Sequence, residues 1–321
     1  MEWRFVRMRR GDLNVDPVED EFFATEFLGG ITDALVREAI QNSLDAAVDE
    51  RIRVRFFLGT AGDPVRRYFL GGLWPHLRAA STEGANLPEE NASLRFLAVE
   101  DEGTRGLEGD PSQYEDDARD ARNDFYYFWR NIGRSRKEST DRGRWGLGKT
   151  VFARASRLNA FFGLTVRHSD HSPLLMGQAV LRIHRIGADR YHPYGHFARF
   201  EDDFPMPSTE PRLCEAFVRS FGLRRRGGGL SIVVPYPDEE IKVNEIVEAV
   251  LRHYFSPLLM GRLEVEITEG NSSIVLHERG LEGEIRRREK ELAHLLPLIE
   301  LARWGMNPEG GGMATLPPPR S

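Results

Sequence analysis

The chain has 321 residues, of which 40% are hydrophobic and 29% charged, enough to bury a substantial core in one large or two modest domains. Its formal charge of −6 argues against a whole-surface attraction to nucleic acid, and its single cysteine, Cys214, excludes an internal disulfide. No apolar run approaches the length of a membrane span and the opening Met1-Glu2-Trp3-Arg4-Phe5 lacks the apolar core of a secretion signal, so the expected setting is the reducing cytoplasm, away from membranes.

In chain order, the patterning predicts a helix over 33–49, a strand over 51–58, an inserted helix over 66–80 and a polar loop over 81–91. A buried strand follows over 94–99, then a helix over 114–131 in which Phe125, Tyr126, Phe128 and Trp129 supply core bulk. Residues 158–167, 174–186 and 231–235 read as further strands of a mixed, mostly antiparallel sheet with helices on one face. Cys214 reads as a core residue of a helix rather than a nucleophile. Beyond Pro235 the pattern predicts a helix over 241–254, a hairpin over 263–268 and 273–277, and an amphipathic helix over 281–296 ended by Pro297. The glycine- and proline-rich end, 308–321, has the composition of a disordered tail or linker. The nine histidines show no metal-ligand spacing, and no internal repeat is present.

Chemistry concentrates in three segments. In Arg37-Glu38-Ala39-Ile40-Gln41-Asn42-Ser43-Leu44-Asp45-Ala46, a helical advance of about 100° per residue puts Glu38, Asn42 and Asp45 within roughly 60° of one another, opposite Val36, Ile40 and Leu44. A carboxylate one turn before a carboxamide can hold a water beside a metal ion; the plainer reading is a surface helix with a polar face. The 94–99 strand runs into Glu100-Asp101-Glu102-Gly103-Thr104-Arg105-Gly106, a carboxylate followed by a glycine-permitted turn. Gly143-Arg144-Trp145-Gly146-Leu147-Gly148-Lys149-Thr150 then opens a short helix, and its backbone N–H groups suit phosphate oxygens. Lysine occurs only at 137, 149, 242 and 290, which makes Lys149 the candidate phosphate contact, with Lys137 a weaker second. The same loop fits the G-x-x-x-x-G-K-[ST] phosphate-loop pattern, but that reading requires a buried strand upstream, where the chain instead has the polar run 133–142.

Taken in order, Glu38-x-x-x-Asn42-x-x-Asp45-Ala46, Asp101-x-Gly103-x-x-Gly106 and Gly143-x-x-Gly146-x-Gly148 resemble the motifs of the GHKL superfamily. These are the Bergerat-fold ATPases that include gyrase B subunits, MutL mismatch-repair proteins, heat-shock chaperones, MORC proteins and sensor histidine kinases. The resemblance covers 31–235 and implies a two-layer α/β sandwich that binds ATP and Mg. It implies Asn42 as the magnesium ligand, Glu38 as the base that orients the attacking water and Asp101 as the acceptor for the adenine amino group. Gly103, Gly106, Gly143, Gly146, Gly148, Lys149 and Thr150 would contact the nucleotide, and 133–148 would be the lid over its phosphates. Asp45 matches a family position, although a role in loop geometry or capping accounts for it equally. Two departures stand out. Gly227-Gly228-Gly229-Leu230-Ser231 stands in place of a glycine-threonine pair, which leaves open whether Ser231 substitutes for the hydroxyl, and the glycines after Asp101 are spaced one residue wider than the commonest form.

The implied organisation is an ATP-binding unit over 1–236, a C-terminal α+β extension or transducer-like unit over 237–305, and a tail over 306–321. Lys242 is the nominee for a lysine returned to the phosphates. The implied activity is Mg-dependent ATP hydrolysis, with the nucleotide state controlling an ATP-dependent homodimer or a protein partner; DNA is a partner that the net charge does not favour. The alternatives are a binding module without turnover and a histidine kinase, whose phosphoacceptor hairpin does not fit in the roughly thirty residues before the site helix.

Overall fold

The computed structural model describes residues 1–17, 29–82, 86–115, 123–131 and 150–306. Strands β1 (Glu2–Arg7), β2 (Ile52–Ala61), β3 (Leu94–Glu102), β4 (Ala160–Val166), β5 (Pro173–Val180), β6 (His184–Ile186), β7 (Asp189–Glu201), β8 (Phe204–Met206), β9 (Gly229–Pro235), β10 (Leu263–Glu269) and β11 (Ser272–Leu276) form one 11-stranded sheet. Its order is β1-β7-β5-β4-β9-β3-β2-β10-β11, with β6 and β8 paired to β7. Only β10 against β2 is parallel; the other pairs run antiparallel. The sheet is therefore mixed and mostly antiparallel, as the patterning predicts.

Period-two alternation explains how β2 is used: Ile52, Val54, Phe56 and Leu58 turn into a core while Arg53 and Arg55 turn out. That core lies beneath α1 (Gly30–Asp45), α4 (Asp124–Trp129), α5 (Thr150–Arg154), α7 (Val243–Leu259), α8 (Leu281–Arg287), α9 (Glu289–Leu292) and α10 (Leu296–Met306). The opposite face is covered as well. There α2 (Asp63–Leu70), α3 (Trp74–Ala80) and α6 (Pro211–Ser220) enclose a second core with Phe69, Trp74, Phe96, Phe162, Phe197 and Phe217. Helices on one face alone thus describe only part of the molecule. The β2–β10 end of that second face stays polar, where Arg53 and Arg224 pair with Glu264 at 3.5 Å and Glu266 at 2.8 Å.

Several predicted elements are shorter or divided. The 66–80 helix is two helices separated by Gly71-Gly72, a pair poor at sustaining helical backbone. The 114–131 helix begins only at Asp124, because Asn123 caps it by accepting the Tyr126 N–H at 2.8 Å. Pro297 does not end a helix but sits in the first turn of α10, where its missing N–H costs nothing, and the 281–296 segment breaks into α8 and α9 ahead of it. The 174–186 strand divides into β5 and β6. Cys214 is buried in α6, and burial pushes its thiol up to about 11. The patterning missed β1, β7 and β8. The C-terminal segment, set apart by composition, contributes β10 and β11 to the same sheet and α7 to the same core as α1.

Helix α1 is held by Leu35, Val36, Ala39 and Ile40, all buried on its sheet side at helical spacing. Ile40 is fully buried. Ile40→Ala should cost about 2–5 kcal/mol in chemical denaturation, the usual range for truncating a buried aliphatic side chain. A loss below about 1 kcal/mol would show that α1 is not anchored through this contact.

Candidate functional site

The polar side of α1 carries Glu38 and Asn42 one turn apart, both half-buried. Asn42 Nδ2 donates to Glu38 Oε1 at 2.8 Å, which fixes the amide orientation because an ionised carboxylate only accepts. The Asn42 carboxamide oxygen takes no hydrogen bond among the described residues. A hard oxygen next to a carboxylate is a donor set that suits magnesium, which keeps most of its shell as water and phosphate oxygen. Among the described residues no group of three or more His, Cys, Asp or Glu side chains gathers to hold a metal on its own. Asp45, at the exposed end of α1, accepts from Gln41 Nε2 at 2.7 Å, and its carbonyl accepts from Arg105 Nη1 at 3.1 Å. Arg105 also pairs with Asp124 at 2.8 Å, so Asp45 joins the end of α1 to the turn after β3 and to α4.

Asp101 lies at the end of β3 and is 7% exposed. Its Oδ1 accepts from Thr104 Oγ1 at 2.8 Å and from the Leu230 N–H at 2.7 Å. Ser43 Oγ lies 3.2 Å from Asp101 Oδ2 and 2.9 Å from the Ala39 carbonyl, two acceptors for one hydroxyl proton. Residues 42 and 43 are consecutive, so α1 presents the Asn42 oxygen and meets the Asp101 carboxylate within one peptide unit. Gly103 and Gly106 have φ of +81° and +72°. A Cβ at Gly106 would lie 2.6 Å from both Thr165 Oγ1 and the Val166 carbonyl, so the turn after Asp101 requires glycine there.

Behind Asp101 the Arg225 side chain is 2% exposed. Its guanidinium donates to the carbonyls of Asp101, Gly228 and Leu230, its Nε donates to Ser231 Oγ at 3.0 Å, and its Nη2 lies 3.7 Å from Asp101 Oδ1. Ser231 is fully buried and donates to Glu100 Oε1 at 3.2 Å, so its hydroxyl serves the neighbouring carboxylate. The hydroxyls on Asp101 are those of Ser43 and Thr104. Thr150, buried, opens α5 against α1. Gly143, Gly146, Gly148, Lys149 and the 133–148 lid lie outside the described residues.

Sequence reasoning missed Ser43, Thr104 and Arg225. Thr104 lies inside the quoted turn and Ser43 beside Asn42, so proximity to the motifs was a usable signal. Arg225 had none, since one arginine of a run of three reads as solvated surface.

The far end of α1 is clamped by three consecutive residues of α7. Arg252 Nη1 and His253 Nε2 reach Asp33 Oδ1 at 3.1 and 2.7 Å, and Tyr254 Oη donates to the Arg37 carbonyl at 2.7 Å. Burial, with the Glu38 charge second, raises the Tyr254 phenol above its ordinary value. Tyr254 departs from helical geometry at φ −127°, ψ 19°, three residues before Pro257, which cannot donate into the helix. Lys242, at the start of α7, is exposed and lines a cavity of about 260 Å³ with Gly29, Thr32, Glu240 and Glu245. That cavity is at the N-terminal end of α1, about two turns from Glu38. A larger cavity, about 450 Å³, is lined by Arg66, Arg67, Trp74 and Glu90 on the opposite face of the sheet and holds none of the predicted site residues.

No family model matches the chain, and no curated protein matches it. Similar solved structures include the ATPase and transducer domains of DNA topoisomerase II from Balamuthia mandrillaris, at 11% identity and a TM-score of 0.38, covering 78% of this chain and 50% of that one. They also include the ATPase region of Saccharomyces cerevisiae topoisomerase II bound to ICRF-187 (dexrazoxane), at 10% identity and a TM-score of 0.37, covering 80% of this chain and 53% of that one. A second structure of that yeast region gives 10% identity and a TM-score of 0.35, with the same coverage. The chain spans about half the length of the solved chains it matches. Likeness at these scores assigns neither activity nor partner. No helix among the described residues is long and apolar enough to cross a membrane.

Asp33 yields a pH prediction. Burial pushes its carboxyl up, but the hydrogen bond and charge of His253, with Arg37 and Arg252, outweigh burial and hold the pKa below 3.8. A depressed folded-state pKa gives stabilisation that is complete above the unfolded value and lost as pH falls through the folded one. Thermal unfolding from neutral pH downward should therefore show the parent losing stability below about pH 4, and Asp33→Asn, less stable at pH 7, falling less steeply over that window. Parallel curves for the two proteins would contradict the role given to this carboxylate.

Proposed function

We propose that the chain binds Mg-ATP and hydrolyses it slowly. The observation that carries this reading is the Glu38–Asn42 pair, in which a carboxylate fixes a carboxamide whose oxygen is unengaged among the described residues, one residue from the hydroxyl that meets the buried Asp101. Asn42 would hold the magnesium ion, which when bound supplies positive charge to offset that of the triphosphate. Glu38 orients a water and accepts its proton as the water attacks the terminal phosphorus and the bridging P–O bond breaks, leaving ADP and inorganic phosphate. Asp101 accepts the hydrogen bond of the adenine amino group, a donor that a carboxylate recognises by charge as well as geometry. Thr150, at the start of α5, follows the glycine loop in sequence and would contact the phosphates.

In the same proposal, turnover controls a larger assembly, as a homodimer or with a protein partner. Support for it comes from the clamp of Arg252, His253 and Tyr254, which ties the C-terminal segment to the helix bearing Glu38. A shift of α1 on nucleotide binding is then carried into α7 and the elements packed on it.

Phosphate release tests the base. Glu38→Gln keeps an acceptor for Asn42 and removes the basic oxygen, so it should bind ATP with nearly parental affinity and release phosphate about 100- to 10,000-fold more slowly. Equal release by parent and variant would remove Glu38 from the mechanism. A parent that binds ATP with no turnover to lose would instead favour a binding module.

A further inference from the structure

The partners of Asp101 are unequally divided between its two oxygens. Oδ1 already accepts from Thr104 Oγ1 and the Leu230 N–H, at 2.8 and 2.7 Å, which uses both of its lone-pair directions, and Arg225 stands 3.7 Å away as the balancing charge. Among the described residues Oδ2 has one hydrogen-bond partner, Ser43 Oγ at 3.2 Å, whose proton has a nearer acceptor in the Ala39 carbonyl at 2.9 Å. Arg225 is itself immobilised by three backbone carbonyls and the Ser231 hydroxyl, so it compensates the carboxylate without being able to swing round and cap Oδ2. Gly229 makes room for this arrangement, since a Cβ there would lie 2.5 Å from Asp101 Oδ1 and 2.1 Å from Arg225 Nη1.

We infer that Arg225 and Thr104 are positioning residues that turn Asp101 into a receptor for a single N–H donor. The inference rests on the nucleotide reading above and adds the base specificity of that site. A purine offering one exocyclic amine, the 6-amino group of adenine, fits. Guanine offers adjacent N1–H and N2–H donors that need two carboxylate oxygens, and one of them would face an oxygen with no acceptor capacity left. Neither Arg225 nor Thr104 touches the base in this arrangement. They act by fixing the rotation of the carboxylate and by saturating its inner oxygen.

The test compares ATP with purine riboside triphosphate, which differs only in lacking the 6-amino group, using calorimetric affinities for the parent and for Thr104→Val, Thr104→Ser and Arg225→Ala. The parent should prefer ATP by about 10- to 100-fold. Thr104→Val and Arg225→Ala should lower that preference to about 3-fold or less, whereas Thr104→Ser, which keeps the hydroxyl, should retain it. A merely structural role would weaken both nucleotides equally and leave the preference intact, and that result would overturn the inference while leaving ATP binding in place. If Arg225→Ala does not fold, Thr104→Val decides the matter alone, because it removes one hydroxyl at nearly constant volume. A parent that binds neither nucleotide would overturn the functional reading, and this inference with it.

Discussion

The burial of one carboxylate at the end of a central strand organises the candidate site. Asp101 could not be enclosed without groups to replace water: Thr104 of the glycine turn and the Leu230 N–H of β9 donate to its carboxylate, the Ser43 hydroxyl of α1 lies 3.2 Å from it, and the Arg225 guanidinium stands 3.7 Å away as the opposite charge. Meeting that demand brings α1 against the end of β3. Asn42 is the residue before Ser43, and Glu38 lies one turn away along the same helix. The glycines follow from the same constraint, since side chains at 106 and 229 would occupy the space that the turn and the carboxylate need.

Legibility varied with how local the cause was. Glu38 and Asn42 could be read because helical periodicity alone puts them on one side of a helix, and the Asp101 turn because its glycines announce positive φ. What fills the space behind Asp101 could not be read. Arg225 and Leu230 reach it only through the pairing of β9 with β3, a contact between residues more than a hundred positions apart. Nor did the sequence show that α7 would grip α1, because Asp33 and His253 are separated by most of the chain.

The fold shows a similar division. Strands with strict alternation or continuous apolar runs, such as β2 and β4, were evident. Strand β7 was not, because Arg190, His192, Tyr194 and His196 interrupt its pattern on a face that is only partly covered. The second core was overlooked for another reason. Its helices are short and scattered, α2 and α3 between two strands and α6 between two others, so no long amphipathic stretch advertises the second layer. Helix lengths failed where a cap or a proline decided them, at Asn123 and Pro297.

In the proposed function, the carboxamide of Asn42 and the carboxylate of Asp101 serve the two ends of one Mg-ATP site. Calorimetric titration of the parent chain with ATP, in magnesium and again in excess chelator, addresses it most directly. Saturable one-to-one binding that weakens at least about 10-fold when magnesium is removed is the predicted result. Absence of saturable binding up to millimolar ATP, or equal binding with and without the metal, would contradict it.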